Sequence, residues 1–196
     1  MAKKNNLGIL GGSFDPPHIG HLVIAETSLQ QFHLQKIIFI PSGIPSHKFL
    51  PVAGSFDRFK MVELAIEDNP RFEVADIEIR NTSVSYTYGT VLQIRKKFKN
   101  TALFFILGSD AFRIIDKWKN IASLSKEVTF LIASRNKKSQ KTGTDFSFPL
   151  KYFIINNPFI DVSSSSIRNF CREKKSIRYL VPEKVRKYIE RKRLYE

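Results

Sequence analysis

Cysteine is almost absent: 196 residues include one, Cys171. A lone thiol excludes an intrachain disulfide framework, and with only four histidines beside it a Cys-based structural zinc site is not expected. This usage fits a reducing compartment and reads as cytoplasmic. Long hydrophobic runs are missing too. The apolar stretch after Lys3 and Lys4, Leu7 to Leu10, stops at Gly11-Gly12-Ser13, too short for a signal peptide. No run approaches the ~18 apolar residues of a membrane span. Acidic residues are scarce, 18 against 32 Lys and Arg, for a formal net charge of +14. That excess points to anionic partners and by itself admits nucleic acid, anionic lipid and phosphorylated metabolites alike. Half of it lies in the last stretch, where Arg168 to Glu196 hold eleven Lys or Arg against four Glu. Repeats, low-complexity tracts and composition breaks are absent. Residues 1–196 therefore read as a single domain, with 163–196 as its C-terminal helical segment, and 42% hydrophobic residues supply a substantial core.

What is present is an alternation of β-branched apolar runs with helix-like stretches, the pattern of an α/β domain around a mainly parallel, doubly wound Rossmann-like sheet. Leu7 to Leu10, Lys36 to Ile40, Leu103 to Leu107, Val128 to Ile132 and Tyr152 to Ile155 read as buried strands, with Phe72 to Ile79 a further strand region. Leu22, Ala25, Leu29 and Phe32 recur at spacings of three, four and three, one face of an amphipathic helix. Met61, Leu64 and Ala65 mark a second helix, and Val91, Leu92 and Ile94 a third. Ser163 to Ser166 offer N-caps before Ile167 and Phe170, and Pro182 suits the first position of a closing helix. Pro41 to Lys48 follows the second strand and should emerge at the carboxyl edge of the sheet, where open α/β sheets bind ligands. Asn136 to Gly143 reads as a polar, basic surface loop.

The richest stretch is Gly11-Gly12-Ser13-Phe14-Asp15-Pro16-Pro17-His18-Ile19-Gly20-His21, between the first strand and the first helix. Glycines at a strand end let backbone approach a ligand closely, and the prolines force a turn. Gly20 leaves room at the helix entrance. A helix start offers unpaired N–H groups and positive partial charge to phosphate, and His18 and His21, three apart, share one side of that first turn. The glycines fit neither G-x-G-x-x-G nor the P-loop pattern.

The stretch resembles the His-x-Gly-His signature of the nucleotidyltransferase superfamily, and Gly11 to Leu22 resembles the form found in bacterial nicotinate-mononucleotide adenylyltransferases. The resemblance runs along nearly the whole chain. Ile44-Pro45-Ser46-His47-Lys48 is similar to the family's P-P-H-K/R loop, with Ser46 for the second proline; it implies that His47 and Lys48 contact the reacting phosphates. Ser85-Tyr86-Thr87-Tyr88-Gly89-Thr90 resembles S-Y-T-x-D-T, implying that main chain near Thr87 binds the nicotinate carboxylate; Gly89 replaces the usual Asp. Ser85 and Thr87 would also cap a helix without any ligand. Phe105-Ile106-Leu107-Gly108-Ser109-Asp110, followed by Trp118, is similar to F-I-L/I-G-x-D…W, implying that the Gly108 to Asp110 turn lies beside the nucleotide and that Trp118 stacks on the pyridine ring. Lys119 stands where relatives often carry an aromatic residue. Arg135, after a strand, matches an arginine near the phosphates. Val162 to Arg168 resembles I-S-S-T-x-I-R, with Ser165 for threonine, implying that Ser164, Ser165, Ile167 and Arg168 form a second phosphate-binding helix start.

The resemblance implies adenylyl transfer from ATP to nicotinate mononucleotide in NAD biosynthesis, by direct in-line attack of the mononucleotide phosphate without a covalent enzyme intermediate. His18, His21, His47 and Lys48 would stabilise charge, and Gly11, Gly12, Ser13, Phe14 and Gly20 would face ATP. Magnesium would arrive with ATP, with no metal ligated by the protein. A membrane or specific nucleic acid is not an implied partner, and a homo-oligomer is allowed. Two rivals remain at this point: a superfamily member acting on pantetheine phosphate or nicotinamide mononucleotide, and a nucleic-acid-binding module suggested by the charge and by Arg95 to Lys99.

Overall fold

The computed structural model describes residues 5–45, 50–81, 83–134, 146 and 148–196. Along the chain run β1 (Asn6–Gly12), α1 (Ile19–Gln31), β2 (Lys36–Pro41), β3 (Ile44–Pro45), α2 (Ser55–Ile66), β4 (Phe72–Val74), β5 (Val84–Ser85), α3 (Thr87–Lys97), β6 (Ala102–Gly108), α4 (Ser109–Phe112), a 3-10 turn (Ile115–Lys117), α5 (Ile121–Glu127), β7 (Val128–Ala133), β8 (Tyr152–Ile155), α6 (Ser164–Arg172) and α7 (Glu183–Lys192). Six strands form one sheet in the order β4-β2-β1-β6-β7-β8, every pairing parallel. The chain winds outward from β1 to β4, returns beside β1 as β6, and winds outward again to β8. Connections therefore leave β1 and β6 in opposite directions, and a crevice opens at their carboxyl ends.

Parallel strands covered on both faces need apolar residues at nearly every position, and alternate residues serve opposite layers. Ile37 and Phe39 of β2 pack with α1, α2 and the C-terminal helices, while Ile38 and Ile40 join Val91, Ile94 and Leu124 of α3 and α5 on the other face. Both layers are closed to solvent: Ile9, Leu124, Met61 and Val185 are each 0% exposed.

Three expectations are corrected. Strand structure in Phe72 to Ile79 ends at Val74. β4 is an edge strand held only by β2, and the chain turns away so that Glu78 can bond to the Gly43 N–H and the Thr90 hydroxyl. The stretch read as a loop after β2 contains β3, which pairs in parallel with β5, Ile44 opposite Val84 and Pro45 opposite Ser85. Pro182 is the N-cap of α7 rather than its first residue, with ψ at 147°, outside the helical range. The polar loop expected at Asn136 to Gly143 lies outside the described residues.

The C-terminal segment is fastened to α2. Val185, Tyr188 and Ile189 are buried, and the Tyr188 hydroxyl donates to Asp57 Oδ1 at 2.7 Å. Burial, then the Asp57 carboxylate, push the Tyr188 phenol up to about 12. A raised folded-state value means that this contribution to stability is present below the ordinary phenol range near 10 and is lost as pH rises through about 12. Tyr188→Phe is expected to lower unfolding free energy by about 1.5 kcal/mol at neutral pH, as measured by urea titration. A difference ultraviolet titration against wild type should place the missing phenolate transition at about 12.

Candidate active site

Strand β1 delivers Gly11 and Gly12 to the crevice, and Ser13 to Pro17 carry the chain over to α1. His18 is the N-cap, extended at φ −143° and ψ 169°. Its backbone N–H donates to His21 Nδ1 at 3.2 Å, a reciprocal tie across the first helical turn. An accepting Nδ1 leaves the ring proton of His21 on Nε2, where it serves as a donor. The two imidazoles lie 3.8 Å apart, tilted by 31°, and Phe14 meets His21 edge-on at 5.0 Å. His21 is thus wedged between two rings. A Cβ on Gly20 would come within 3.1 Å of the His18 ring and of Val162, so a side chain there would have to push that imidazole or Val162 aside by a few tenths of an ångström.

Buried polar groups brace the turn from behind. Asp15, 3% exposed, accepts the backbone N–H groups of Val52 at 2.8 Å and Ala53 at 3.1 Å, and the Tyr195 hydroxyl at 2.8 Å. Arg58, 2% exposed, donates to three carbonyls: Ser13 at 2.7 Å, Ser42 at 2.6 Å and Ala53 at 3.2 Å. Burial lowers the Arg58 value, and the Asp15 charge partly offsets that. Arg168 donates to the Asp15 carbonyl at 2.7 Å and to Ser165 Oγ at 3.2 Å, while Ser164 Oγ donates to the Pro16 carbonyl at 2.8 Å. Ser163 caps α6, accepting from the Ser166 N–H at 3.1 Å. The start of α6 is therefore pinned directly onto the turn before α1. Ile167 anchors it with a fully buried side chain.

A second group of residues assembles at the start of α3. Its N-cap is Tyr86, without a side-chain bond to the helix, so the capping expected from Ser85 and Thr87 is not what begins it. Ser85 instead pairs with Pro45 through β5 and β3. The Lys119 ammonium lies 4.2 Å from the centroid of the Tyr86 ring, bringing Ser85, Tyr86 and Thr87 beside the segment of Trp118. Trp118 is half-buried and meets Phe105 edge-on at 6.0 Å and 89°. A side chain at Gly89 would meet open space, so the departure there leaves packing untouched. Gly108 is the N-cap of α4, with Ser109 buried and Asp110 on the exposed side of the turn.

The two groups are coupled twice. Phe105 lies under Gly11, its Cζ 3.4 Å from the place of a Cβ there, and reaches Trp118 on its other side. The second route runs through Arg58 to Ser42, then from the Gly43 N–H to Glu78 at 3.4 Å, and from Glu78 to the Thr90 hydroxyl at 2.7 Å. A Cβ on Gly43 would fall 2.2 Å from the Glu78 carbonyl, so only glycine permits this approach. Burial raises the Glu78 value, against the pull of the Thr90 and Gly43 hydrogen bonds.

Of the residues singled out from sequence, His47, Lys48 and Arg135 lie outside the described residues. Three that sequence reading missed are Arg58, Tyr195 and the side chain of Asp15. Arg58 did carry a signal: it stands three, four and seven residues before Met61, Val62 and Ala65, on the buried face of α2. Among the described residues no group of three His, Cys, Asp or Glu side chains is placed to hold a metal ion, and no helix is long and apolar enough to cross a membrane.

Residues 9–170 match the cytidylyltransferase-like family model. The chain is 40% identical over 192 residues to a probable nicotinate-nucleotide adenylyltransferase of Dictyoglomus turgidum, covering 96% of this chain and 95% of that one. A protein of the same description from Bacillus cytotoxicus is 42% identical over 191 residues, covering 97% and 98%. The structure of Plasmodium falciparum nicotinic acid mononucleotide adenylyltransferase complexed with NaAD superposes with a TM-score of 0.78 at 24% identity, covering 97% of both chains, a likeness of fold. Identity near two fifths along nearly the full length of the bacterial proteins is kinship as well as fold, and the chain belongs to the nicotinate-nucleotide adenylyltransferase family.

Proposed function

We propose that residues 1–196 act as one unit that transfers AMP from ATP to nicotinate mononucleotide, releasing nicotinate adenine dinucleotide and pyrophosphate, within the cytoplasm. The observation that carries this reading is the His18–His21 pair, fixed at the start of α1 in the crevice, on the same loop as Gly11, whose far neighbour Phe105 packs edge-on against Trp118. That spacing gives a phosphate subsite and an aromatic subsite side by side. The mononucleotide phosphate attacks the α-phosphorus in line as pyrophosphate leaves, so the oxygen–phosphorus bond formed replaces the one broken. Such chemistry needs positioned positive and hydrogen-bonding groups more than a nucleophile on the protein. His21 supplies the Nε2 proton to phosphate oxygen, while Nδ1 is occupied by the His18 N–H. His18, His47, Lys48, Arg135 and the start of α6 add charge and donors, and Gly11 to Phe14, Gly20 and the Gly108 to Asp110 turn line the ATP side.

Magnesium neutralises the polyphosphate of ATP. The Asp15 carboxylate already accepts from Val52, Ala53 and Tyr195, which leaves the ion to phosphate oxygens and water. At the other subsite Trp118 stacks on the pyridine ring, and Thr87 main chain, with Tyr86 and Ser85, meets the carboxylate. Lys119 places a positive charge beside that position, which favours the acid over the amide.

His21→Ala is expected to lower kcat by about 100-fold or more, with thermal unfolding little changed, when pyrophosphate release is followed. Trp118→Ala should weaken mononucleotide binding by about 1–3 kcal/mol in calorimetry while leaving ATP binding in place. With nicotinate and nicotinamide mononucleotides offered in parallel, wild type should prefer the acid, and Lys119→Ala should narrow that preference by about two- to fivefold, the range of one exposed charge pair. Equal rates on both mononucleotides would overturn the assigned substrate.

A further inference from the structure

Tyr195 is the penultimate residue, beyond the end of α7, where Arg193 turns left-handed at φ 49° and Tyr195 itself sits at φ 72°. This phenol is 6% exposed and its hydroxyl donates to Asp15 Oδ1 at 2.8 Å. Burial, then the Asp15 charge, raise the Tyr195 value, so the group remains a protonated donor throughout the neutral range.

Asp15 is where four segments remote in sequence meet: the turn after β1, the Val52–Ala53 backbone, Arg168 of α6, 3.6 Å from its carboxylate, and the C-terminal residues. Its chain neighbours are the ones that orient the imidazoles. Phe14, on one side, packs edge-on against His21, and Pro16 and Pro17, on the other, lead into His18. Phe14 is 1% exposed at φ 49°, a left-handed conformation unusual for a bulky side chain and held in place by its surroundings. A shift of Asp15 would therefore be transmitted to both histidines.

We propose that Tyr195 is a positioning residue for adenylyl transfer: its hydroxyl fixes the Asp15 carboxylate, and through it the orientation of Phe14 and of the His18–His21 pair. The kinetic part of this rests on the reading of the turn as the phosphate subsite. Tyr188 provides an internal control, because its hydroxyl makes the same kind of bond to a carboxylate, at 2.7 Å, but to Asp57 on α2 and not to the turn.

The test compares full-length Tyr195→Phe and Tyr188→Phe with wild type by imidazole ring NMR, thermal unfolding and steady-state kinetics with ATP and nicotinate mononucleotide. Both variants should unfold at somewhat lower temperature. Only Tyr195→Phe should move the His18 and His21 ring resonances, and only it should lower kcat, by about tenfold or more, with the mononucleotide KM within about twofold of wild type. Unmoved imidazole resonances in Tyr195→Phe would overturn the proposal whatever the activity. So would equal kcat in the two variants, since a purely structural bond costs stability alike in both. Moved resonances in a wild-type background that releases no pyrophosphate from ATP would uphold the positioning role and overturn the assigned reaction instead. If Tyr195→Phe does not fold, Asp15→Asn tests the acceptor end of the same link, leaving the phenol packed and weakening its bond by removing the charge, together with the Val52, Ala53 and Arg168 contacts of that carboxylate; it is held to the same resonance and kcat outcomes.

Discussion

The site depends on a guanidinium taken out of water. Arg58 is 2% exposed, and an isolated cation at that depth would be strongly destabilising. Its stability comes from three carbonyls, those of Ser13, Ser42 and Ala53, and from the nearby Asp15 carboxylate. Those carbonyls belong to the turn after β1, the end of β2 and the entrance of α2. No regular ladder could join them, because each lies where a strand or helix has just ended or not yet begun. The planar fork of arginine suits this, presenting several donors in fixed directions, and lysine would offer one flexible point charge in its place. Asp15 completes the arrangement from the opposite sign, taking N–H groups from Val52 and Ala53. Loops at the carboxyl edge of the sheet are thereby held firmly to one another by buried side chains.

That firmness gives the doubly wound topology its use. The strand order opens a crevice between β1 and β6, but a crevice specifies no ligand. The braced loops carry imidazoles on one side, and Trp118 with the Ser85 to Thr87 segment on the other. Phe105 packs between Gly11 of the first group and Trp118 of the second, and Arg58, Glu78 and Thr90 link the groups by hydrogen bonds through Ser42 and Gly43. Two routes of different chemistry tie the turn before α1 to the start of α3, the kind of fixed separation that a reaction joining two nucleotides requires.

Much of this was legible in the sequence because it is local. Strand cores show as apolar runs, α1 as a three-four-three spacing, and the turn before it as glycines, prolines and two histidines in a short string. What was not legible depends on convergence from far apart. Tyr195 and Asp15 are separated by 180 residues, and no period links them. Arg58 could have been suspected from its place on the apolar face of α2, yet an arginine on a helix is ordinarily a solvent-facing residue. The shortness of β4 and the pairing of β3 with β5 arise because Glu78 and Gly43 meet, a contact between residues 35 apart. Two-residue strands carry no periodicity for a pattern to reveal.

The positive charge concentrated at the C-terminus takes on a different meaning in the folded chain. Arg186 lies between Glu183 and Glu190, Lys184 pairs with Glu67, and Lys175 with Glu173. Such surface pairs contribute little individually to stability. Arg172, Lys174, Arg178, Lys187, Arg191, Lys192 and Arg193 are exposed on α6, α7 and their connections. Arg168 turns inward, donating to the Asp15 carbonyl and lying 3.6 Å from the Asp15 carboxylate. Ser164 and Tyr195 reach the same turn with hydroxyls. A short uncharged donor can approach a buried carboxylate or carbonyl without bringing a second ion out of water, which is the more costly way to reach it. The most basic stretch of the chain thus touches the candidate active site through Arg168 and two hydroxyls, while its other cations pair with surface carboxylates or are exposed, and net charge is a poor guide to which of its residues matter there.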